Sequence, residues 1–171
     1  MHGRPQEPEA ASYFWKYIDK VEGDDPIAAL ERQLPEAAAL FAGVSEERSL
    51  FRYAPDKWSI RQSLSHVTDT ERAFTFRALW FGRGFTGALD SYDQNIAVAG
   101  AEADRISWAA HVEEFRQVRL ATVSLFRNMP DEAWLRTGIA SGNLVSVRAL
   151  AFICAGHTTH HQELFRERYL A

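Results

Sequence analysis

Three of the six histidines in this chain lie in one short stretch, GHTTHHQELF, residues 156–165. His157 and His161 are four residues apart, and on a helix such residues have Cβ atoms roughly 5–6 Å apart on one face. Two imidazoles placed in this way can chelate one metal ion at nitrogen–metal distances of about 2.0–2.1 Å. His160 points about 100° away from His161, because a helix turns once in about 3.6 residues. The spacing therefore indicates a metal-binding pair that excludes His160.

A pair of histidines does not hold an ion tightly, so a third protein ligand is needed. The candidate is His66, at the edge of the apolar face of another predicted helix, beside Thr70. Asp69 follows one turn later and can accept a proton from a ligating imidazole, and Glu71 is a candidate for proton transfer. A single histidine on an apolar face can also be a hydrogen-bonded core residue, and the spacing leaves that alternative open for His66.

The histidine pair lacks the feature of a zinc-protease helix. Such a helix carries a glutamate directly after its first histidine, as the general base, and here that position is Thr158. Cys154 precedes His157 by one turn on the same face and can approach the metal, although a buried and unreactive cysteine is the commoner role. The pair therefore indicates metal binding without peptidase chemistry.

Helices must position these residues, because nearly every long segment has helical periodicity. A short helix is expected within residues 11–21. Capping signals mark the starts of four longer helices; they are Asp24 and Asp25 before Pro26, Ser59 in a capping box with Gln62, Ser107 and Ser146. These helices are expected to end near Phe41, Phe81, Pro130 and the last residues of the chain. Pro35 predicts a kink or a break in the first of them.

The segments between the helices predict no sheet. Residues 82–105 are expected to form a polar, glycine-containing loop, in which Tyr92, Asp93 and Gln94 either line a pocket mouth or form a turn that only packs. Residues 137–147 can hold a short extended piece, but not a sheet, and no glycine-rich phosphate loop is present. The predicted fold is therefore all-α, a four-helix bundle.

Four further side chains have alternative interpretations. Trp58 and Trp80 are expected to pack in the fold and not to serve as platforms for a substrate. Arg166 and Arg168 either hold an anionic substrate or a partner chain, or belong to a solvated helix face. The solvated face is the simpler interpretation.

Composition limits the classes of function. The 46% hydrophobic content suffices for a core, and a net charge of −4 with both signs mixed makes nucleic acid a poor partner. The sequence has no apolar run of membrane-spanning length and no signal-peptide pattern at its N-terminus. One cysteine excludes an internal disulfide and fits a reducing compartment. We therefore expect a cytoplasmic protein with a flexible N-terminal tail, residues 1–10, and a single domain, residues 11–171.

Four segments resemble the DinB/YfiT-like superfamily, bacterial four-helix bundles that include metal-dependent enzymes. The segments are YAPDKWSIRQSLSHVTDTERAFTFRAL, SYDQN, EEFRQVRLATVSLF and SVRALAFICAGHTTHHQELFRERYL. The resemblance extends over most of the chain from about Ser12 onward. It implies that His66, His157 and His161 are the metal ligands, with nickel or zinc as the ion. Some relatives use a low-molecular-weight thiol such as bacillithiol or mycothiol, and related bundles often pair, which implies a homodimer here.

Two hypotheses for function follow. In the first, three neutral imidazoles hold a divalent ion and leave a position open. Such an ion lowers the pKa of a water or a thiol, which leads to hydrolysis or thiol S-transfer on an unknown small-molecule substrate. In the second, the ion ties two helices together in a non-catalytic metal-binding or stress-response module. A structural site usually has four protein ligands, so three ligands favour the enzyme, and a pocket beside them would favour it further.

Overall fold

The computed structural model describes residues 3–171, and four long helices form its body. The helices within this range are α1 Ser12–Ile18, α2 Pro26–Phe41, α3 Ile60–Gly82, α4 Gln94–Ala101, α5 Trp108–Arg127 and α6 Val147–Leu164, with a π-helical turn over Phe165–Tyr169. Short 3-10 turns occur at Glu7–Glu9, Arg48–Leu50, Ala103–Arg105 and Asp131–Leu135. Helices α2 and α3 both pack against α5 and α6, and α1 lies against α6. The predicted all-α four-helix bundle is confirmed.

The capping residues that the sequence indicates do begin the long helices. Asp25, Ser59, Ser107 and Ser146 each accept a hydrogen bond from a backbone N–H two or three residues later, at 2.9–3.3 Å. The Ser59 amide also donates to the Gln62 side chain at 3.1 Å, which completes the capping box. Polar side chains thus satisfy backbone groups that have no partner within the helix.

Pro35 predicted a kink or a break, and since helix α2 continues through it, the break does not occur. Proline removes one N–H donor from the helical ladder, normally bonded to the carbonyl of Glu31. Pro35 is exposed, whereas Gln33 and Ala37 on the other face are buried against the bundle. Water can therefore solvate the unpaired carbonyl while the packed face holds the helix together.

Two segments have more regular structure than predicted. The segment expected to be a loop contains α4, which Asp93 caps by accepting hydrogen bonds from two backbone amides at 2.8 and 3.1 Å. Residues 137–147 include an antiparallel hairpin of β1 Thr137–Ala140 and β2 Asn143–Ser146. Its turn residues, Ser141 and Gly142, have positive φ of 53° and 73°, as a tight hairpin turn requires. The prediction that this segment forms no sheet was therefore wrong.

The expected flexible tail is held against the bundle over residues 3–10. Arg4 donates hydrogen bonds to the carbonyls of Ile18 and Val21 at 2.9 and 2.7 Å. Glu9 accepts from the hydroxyl of Ser146 at 2.7 Å, and Ala10 is buried. Residues 3–10 thus make specific contacts with the bundle, residues 1 and 2 lie outside the described range, and the flexibility of the tail stays a prediction.

A polar layer separates two apolar clusters along α3 and α6. One cluster includes Phe81 of α3 and Leu150 of α6. The other includes Leu64 of α3 and Phe165, just after α6. Between these positions the two helices carry buried polar side chains, among them His66, Thr70, Glu71, His157, Thr158 and His161. The residues with a potential for chemistry therefore share one level of the bundle.

Within residues 3–171, no helix combines the length and the apolar composition that crossing a membrane requires.

Candidate metal centre

Helices α3 and α6 bring the three predicted ligands together in the interior. His66 lies in the second turn of α3, and His157 and His161 lie on consecutive turns of α6. Only 3%, 5% and 7% of these residues, respectively, is exposed. The i, i+4 spacing aims both α6 imidazoles at α3, because residues four apart share one helix face.

The imidazole nitrogens converge on one point. The Nε2 atoms of His66 and His157 are 3.2 Å apart, and one potential ligand atom from each of the three residues lies within 4.8 Å of the others. Ligand nitrogens that share one ion at about 2.1 Å are themselves roughly 3 Å apart. Within the described range, no other group of three or more histidine, cysteine or acidic residues brings its ligand atoms so close together. The donor set suits a single metal ion, and the 3.2 Å between Nε2 of His66 and Nε2 of His157 matches the spacing of two nitrogens on one ion.

All three imidazoles are neutral near pH 7. Burial lowers the pKa of His66 to about 4. Burial also places the pKa values of His157 and His161 well below the ordinary histidine value, and repulsion among the neighbouring imidazoles lowers them further. Neutral imidazole is the form that binds metal. The buried Nδ1 of His161 also has no hydrogen-bond partner among the described residues, and a buried polar atom in a native interior is normally satisfied by a protein group, an ordered water or an ion.

Neighbouring side chains fix the orientation of these rings. The hydroxyl of Thr70 lies 3.3 Å from Nδ1 of His66, and the indole of Trp58 packs on the same imidazole, with ring centroids 4.9 Å apart. Tyr17 of α1 packs edge-on against His157 at 5.3 Å. Trp58 therefore packs on a predicted ligand, and Thr70, which the helical spacing placed beside His66, lies at hydrogen-bond distance from that ring where Asp69 was the predicted partner.

Gly156 permits the close approach of α1 to this site. A Cβ atom on Gly156 would lie 1.9 Å from the backbone oxygen of Tyr17, a distance that no unstrained structure allows. The absence of a side chain therefore lets the Tyr17 backbone lie directly on α6, next to His157.

The other predicted candidates have different surroundings. Asp69 accepts a hydrogen bond from Arg72 at 3.0 Å near the surface. His160 is half-buried and packs against the ring of Tyr17 at 5.6 Å, outside the three-histidine group. Cys154 is buried, and burial raises the pKa of its thiol well above the ordinary value. It therefore stays a protonated and unreactive thiol.

Glu71 belongs to a buried ionic network that sequence reasoning missed. Arg119 of α5 donates through Nε and Nη2 to the two carboxylate oxygens of Glu71, each at 2.8 Å. Arg119 also donates to the hydroxyl of Thr158 at 2.8 Å and to the side chain of Gln33 at 2.5 Å. The network joins α2, α3, α5 and α6. Its signal in the sequence was an arginine in the apolar stripe of α5, four residues after Phe115.

A cavity of about 230 Å³ opens beside two of the histidines. Its lining comprises Tyr13, Phe14, Tyr17, His66, Thr70, Ala73, Phe74, Arg77, Tyr92, Gln94, Ser141 and His157. Tyr92 and Gln94 thus line the pocket, one of the two roles considered for them, while Asp93 caps α4. Arg166 and Arg168 are exposed, and Arg166 also lines a second cavity with Gln33 and Glu163, so both interpretations of these arginines stay predictions. The candidate metal centre is therefore accessible to a small molecule.

Two solved structures share this fold. YfiT from Bacillus subtilis, described as a probable metal-dependent hydrolase with an unusual four-helix bundle topology, matches with a TM-score of 0.73 at 16% identity, over 95% of this chain and 91% of YfiT. A mycothiol-dependent maleylpyruvate isomerase matches with a TM-score of 0.68 at 10% identity, over 81% of this chain and 58% of the isomerase chain. At such low identity the likeness establishes the fold alone.

Sequence comparison places the chain in a family. No curated protein matches it. The sequence model of the DinB superfamily matches residues 29–165, which contain His66, His157 and His161. This range begins inside α2 and includes the other three long helices. The chain therefore belongs to the DinB superfamily.

Proposed function

We propose that this protein is a metal-dependent enzyme that holds one divalent ion at His66, His157 and His161 and acts on a small molecule in the adjoining cavity. The observation that carries the proposal is the convergence of three buried, neutral imidazoles beside a cavity that two of them line. Three ligands leave coordination positions free, whereas structural zinc sites usually have four protein ligands. The adjoining cavity supports catalysis over a purely structural ion.

The side chains around the site prepare it for an ion. Nε2 of His66 faces His157, and when Nδ1–H donates to the Thr70 hydroxyl, 3.3 Å away, the lone pair of Nε2 is free to bind an ion. Burial raises the pKa of Tyr17 above its ordinary value, so its hydroxyl stays protonated and can donate a hydrogen bond in the cavity. A divalent ion bound at this point would supply Lewis acidity. We propose nickel or zinc, because imidazole suits both ions.

Hydrolysis is the reaction that the cavity supports best. Among the described residues that line it, none is a cysteine, an aspartate or a glutamate. The chain therefore offers no thiol or carboxylate nucleophile there, and water is the simplest one. A low-molecular-weight thiol in place of water gives S-transfer, the alternative that the name of the mycothiol-dependent relative suggests. Both reactions use the same histidines.

The test starts from protein purified without a metal-affinity step, because such a step can load or strip the site. Elemental analysis identifies the ion. The protein is then assayed against a panel of carboxylic esters, amides and phosphate esters, with and without a low-molecular-weight thiol. We expect turnover that chelation abolishes and the identified ion restores. Turnover that survives complete removal of the ion, or the absence of any bound ion, would contradict the proposal.

We also propose a cytoplasmic homodimer with a small-molecule substrate and no nucleic-acid partner, on the grounds of composition and family resemblance given above. Light scattering at micromolar concentration tests the dimer. A monomer mass under those conditions would contradict it.

A further inference from the structure

The cavity beside the histidines contains one residue with a permanent charge. Among the described residues that line it, Arg77 is the single lysine, arginine, aspartate or glutamate. It lies on α3 three turns after His66, with Thr70 and Phe74 between them on the same face. The separation along the helix axis is about 16 Å. Because helical side chains lean toward the N-terminus of their helix, the long arginine side chain shortens this distance. The guanidinium and the histidines therefore occupy different ends of one cavity.

Arg77 is a buried cation with no counter-ion in the described part of the chain. It is 7% exposed, and its Nη2 donates to the backbone carbonyl of Asp90 at 3.1 Å and to the hydroxyl of Ser141 at 3.0 Å. Its Nε and Nη1 groups have no hydrogen-bond partner within residues 3–171. Arg119, also buried, has both oxygens of Glu71 within hydrogen-bond distance. A buried charge is costly unless it is paired, so Arg77 lacks the partner that Arg119 has.

The hairpin and the loop before α4 hold Arg77 in this position. Ser141 adopts a positive φ of 53° in the hairpin turn, and its amide donates to the carbonyl of Leu89 at 3.0 Å. Asp90, whose carbonyl binds Arg77, is the next residue in the loop. Since the Ser141 oxygen accepts from Arg77, its own hydroxyl proton remains available for an anion.

The remaining walls of the cavity are largely aromatic. Tyr13, Phe14, Tyr17, Phe74 and Tyr92 all line it. Aromatic side chains favour an apolar or aromatic body through burial and ring contacts. A guanidinium at one end favours a carboxylate or a phosphate, which it can bind through two parallel hydrogen bonds.

We propose that Arg77 and Ser141 form an anion-binding subsite, and that the substrate is a small molecule with an apolar or aromatic body and a carboxylate or phosphate at one end. That the bound molecule is a substrate rests on the proposed function. That an anion binds here rests on the cavity alone. The anionic group lies at Arg77, and the part of the molecule that reacts lies at the histidines. Arg77 is then a specificity-determining residue that takes no part in bond breaking.

Binding of simple probes tests the subsite directly. Calorimetric titrations of the full-length, metal-loaded protein compare benzoate and phenyl phosphate with benzamide, a neutral molecule of similar shape to benzoate. We expect at least one anion to bind about tenfold more tightly than benzamide, because a hydrogen bond to a charged group contributes affinity of that order. The tighter of the two anions identifies the group. Equal affinity for benzamide and both anions would overturn the proposal.

Variants then assign the preference to Arg77. Arg77→Gln should reduce anion affinity about tenfold and leave benzamide binding unchanged, and Arg77→Lys should restore part of the preference. Arg83→Gln removes a cation directly after α3, outside the cavity, and should change neither affinity. Should Arg77→Gln fail to fold, Ser141→Gly retains the charge, suits the positive φ and should still weaken anion binding. If folded Arg77→Gln prefers anions over benzamide as strongly as the wild type does, the assignment is overturned. The same holds if the single variants Ser141→Gly and Arg77→Lys both keep the full wild-type preference.

Failure of this inference and failure of the proposed function give different results. Metal content and turnover report on the histidines, whereas the ratio of benzoate to benzamide affinity reports on Arg77. His161→Ala should lose the ion and keep a preference for anions that depends on Arg77. A metal-replete, active protein without that dependence would contradict the subsite alone. A wild-type protein that binds no metal but prefers anions through Arg77 would contradict the proposed function alone.

Discussion

The Nε2 atoms of His66 and His157, two residues 91 positions apart in sequence, face each other at 3.2 Å in the interior of the bundle. No carboxylate in the described structure forms a hydrogen bond with either ring, and burial keeps both rings neutral. Two neutral imidazoles in this arrangement can share a proton or share an ion. The nearby His161, whose Nδ1 has no hydrogen-bond partner within residues 3–171, favours the ion, because a third nitrogen completes a site for it.

The buried histidines should make the metal-free protein less stable as the pH falls from 7 to 5. In the unfolded chain histidine has a pKa of about 6.5 and takes up a proton in this range, whereas burial lowers the pKa of folded His66 to about 4. The unfolded state therefore binds more protons, and the free energy of unfolding decreases. The loss from His66 alone approaches about 3 kcal/mol near pH 4. Urea unfolding in the presence of a chelator measures it.

His66→Gln provides the control for this pH dependence. The variant should lose less stability than the wild type between pH 7 and pH 5, because one of the depressed pKa values is gone. The range stays above the ordinary pKa of carboxylates, so they contribute little to it. Equal stability of the wild type at both pH values would show that the histidines are not buried in the neutral form.

Arg119→Met should destabilise the protein strongly. The substitution leaves the carboxylate of Glu71, which is 2% exposed, without its bidentate partner. An uncompensated buried charge costs about 3–5 kcal/mol. The double variant Arg119→Met, Glu71→Leu should recover much of this loss, because both charges are removed together. Chemical denaturation measures both values.

Arg116 provides a matched control on the same helix. Its ion pair with Glu113 is exposed, so Arg116→Met should change the free energy of unfolding very little.

Glu71→Gln distinguishes the structural role of Glu71 from proton transfer. A structural role predicts lower stability with turnover retained in the folded fraction. A variant of normal stability without turnover would instead assign proton transfer to Glu71.

Gly156→Ala should lower the melting temperature by several degrees. The new methyl group would lie 1.9 Å from the Tyr17 oxygen, and a backbone atom cannot rotate away as a flexible side chain can. Overpacking of this kind costs about 1–3 kcal/mol or more. Gly100→Ala in α4 is the control, since nothing lies within 4 Å of its Cβ position. It should leave the melting temperature equal or higher, because alanine favours a helix. Circular dichroism compares the two, and equal melting temperatures would contradict the close packing of α1 on α6.

Local signals explain why so much of the bundle could be predicted from sequence. Asp25, Ser59, Ser107 and Ser146 precede apolar stripes of helical period, and each begins a helix as expected. The histidine spacing on α6 is likewise local, so it predicted which imidazoles share a face. His66 lies on a different helix, and its placement beside His157 required the packing of α3 on α6.

The features that were missed depend on tertiary contacts. Helix α4 has one buried residue, Val98, so its apolar pattern is weak and the Asp93 cap was the main signal. Residues 3–10 are polar in sequence, yet Arg4 finds backbone carbonyls near α1 that no local pattern indicates. The turn at Ser141 and Gly142 lacks the usual Asn-Gly or Asp-Gly sequence of such hairpins. Propensity alone could not predict these elements.

Bound metal per chain in four single variants measures the central proposal most directly. Five proteins are purified without a metal-affinity step and analysed near pH 7.5: the wild type, His66→Ala, His157→Ala, His161→Ala and His160→Ala. At this pH imidazole is neutral and competes well for metal. His160 packs on Tyr17 outside the three-histidine group, so His160→Ala should retain most of the ion that the wild type holds. Each of the other three should lose most of it, because two histidines chelate weakly. Loss of the ion from His160→Ala with retention in His161→Ala, or retention in all four variants, would contradict the assignment.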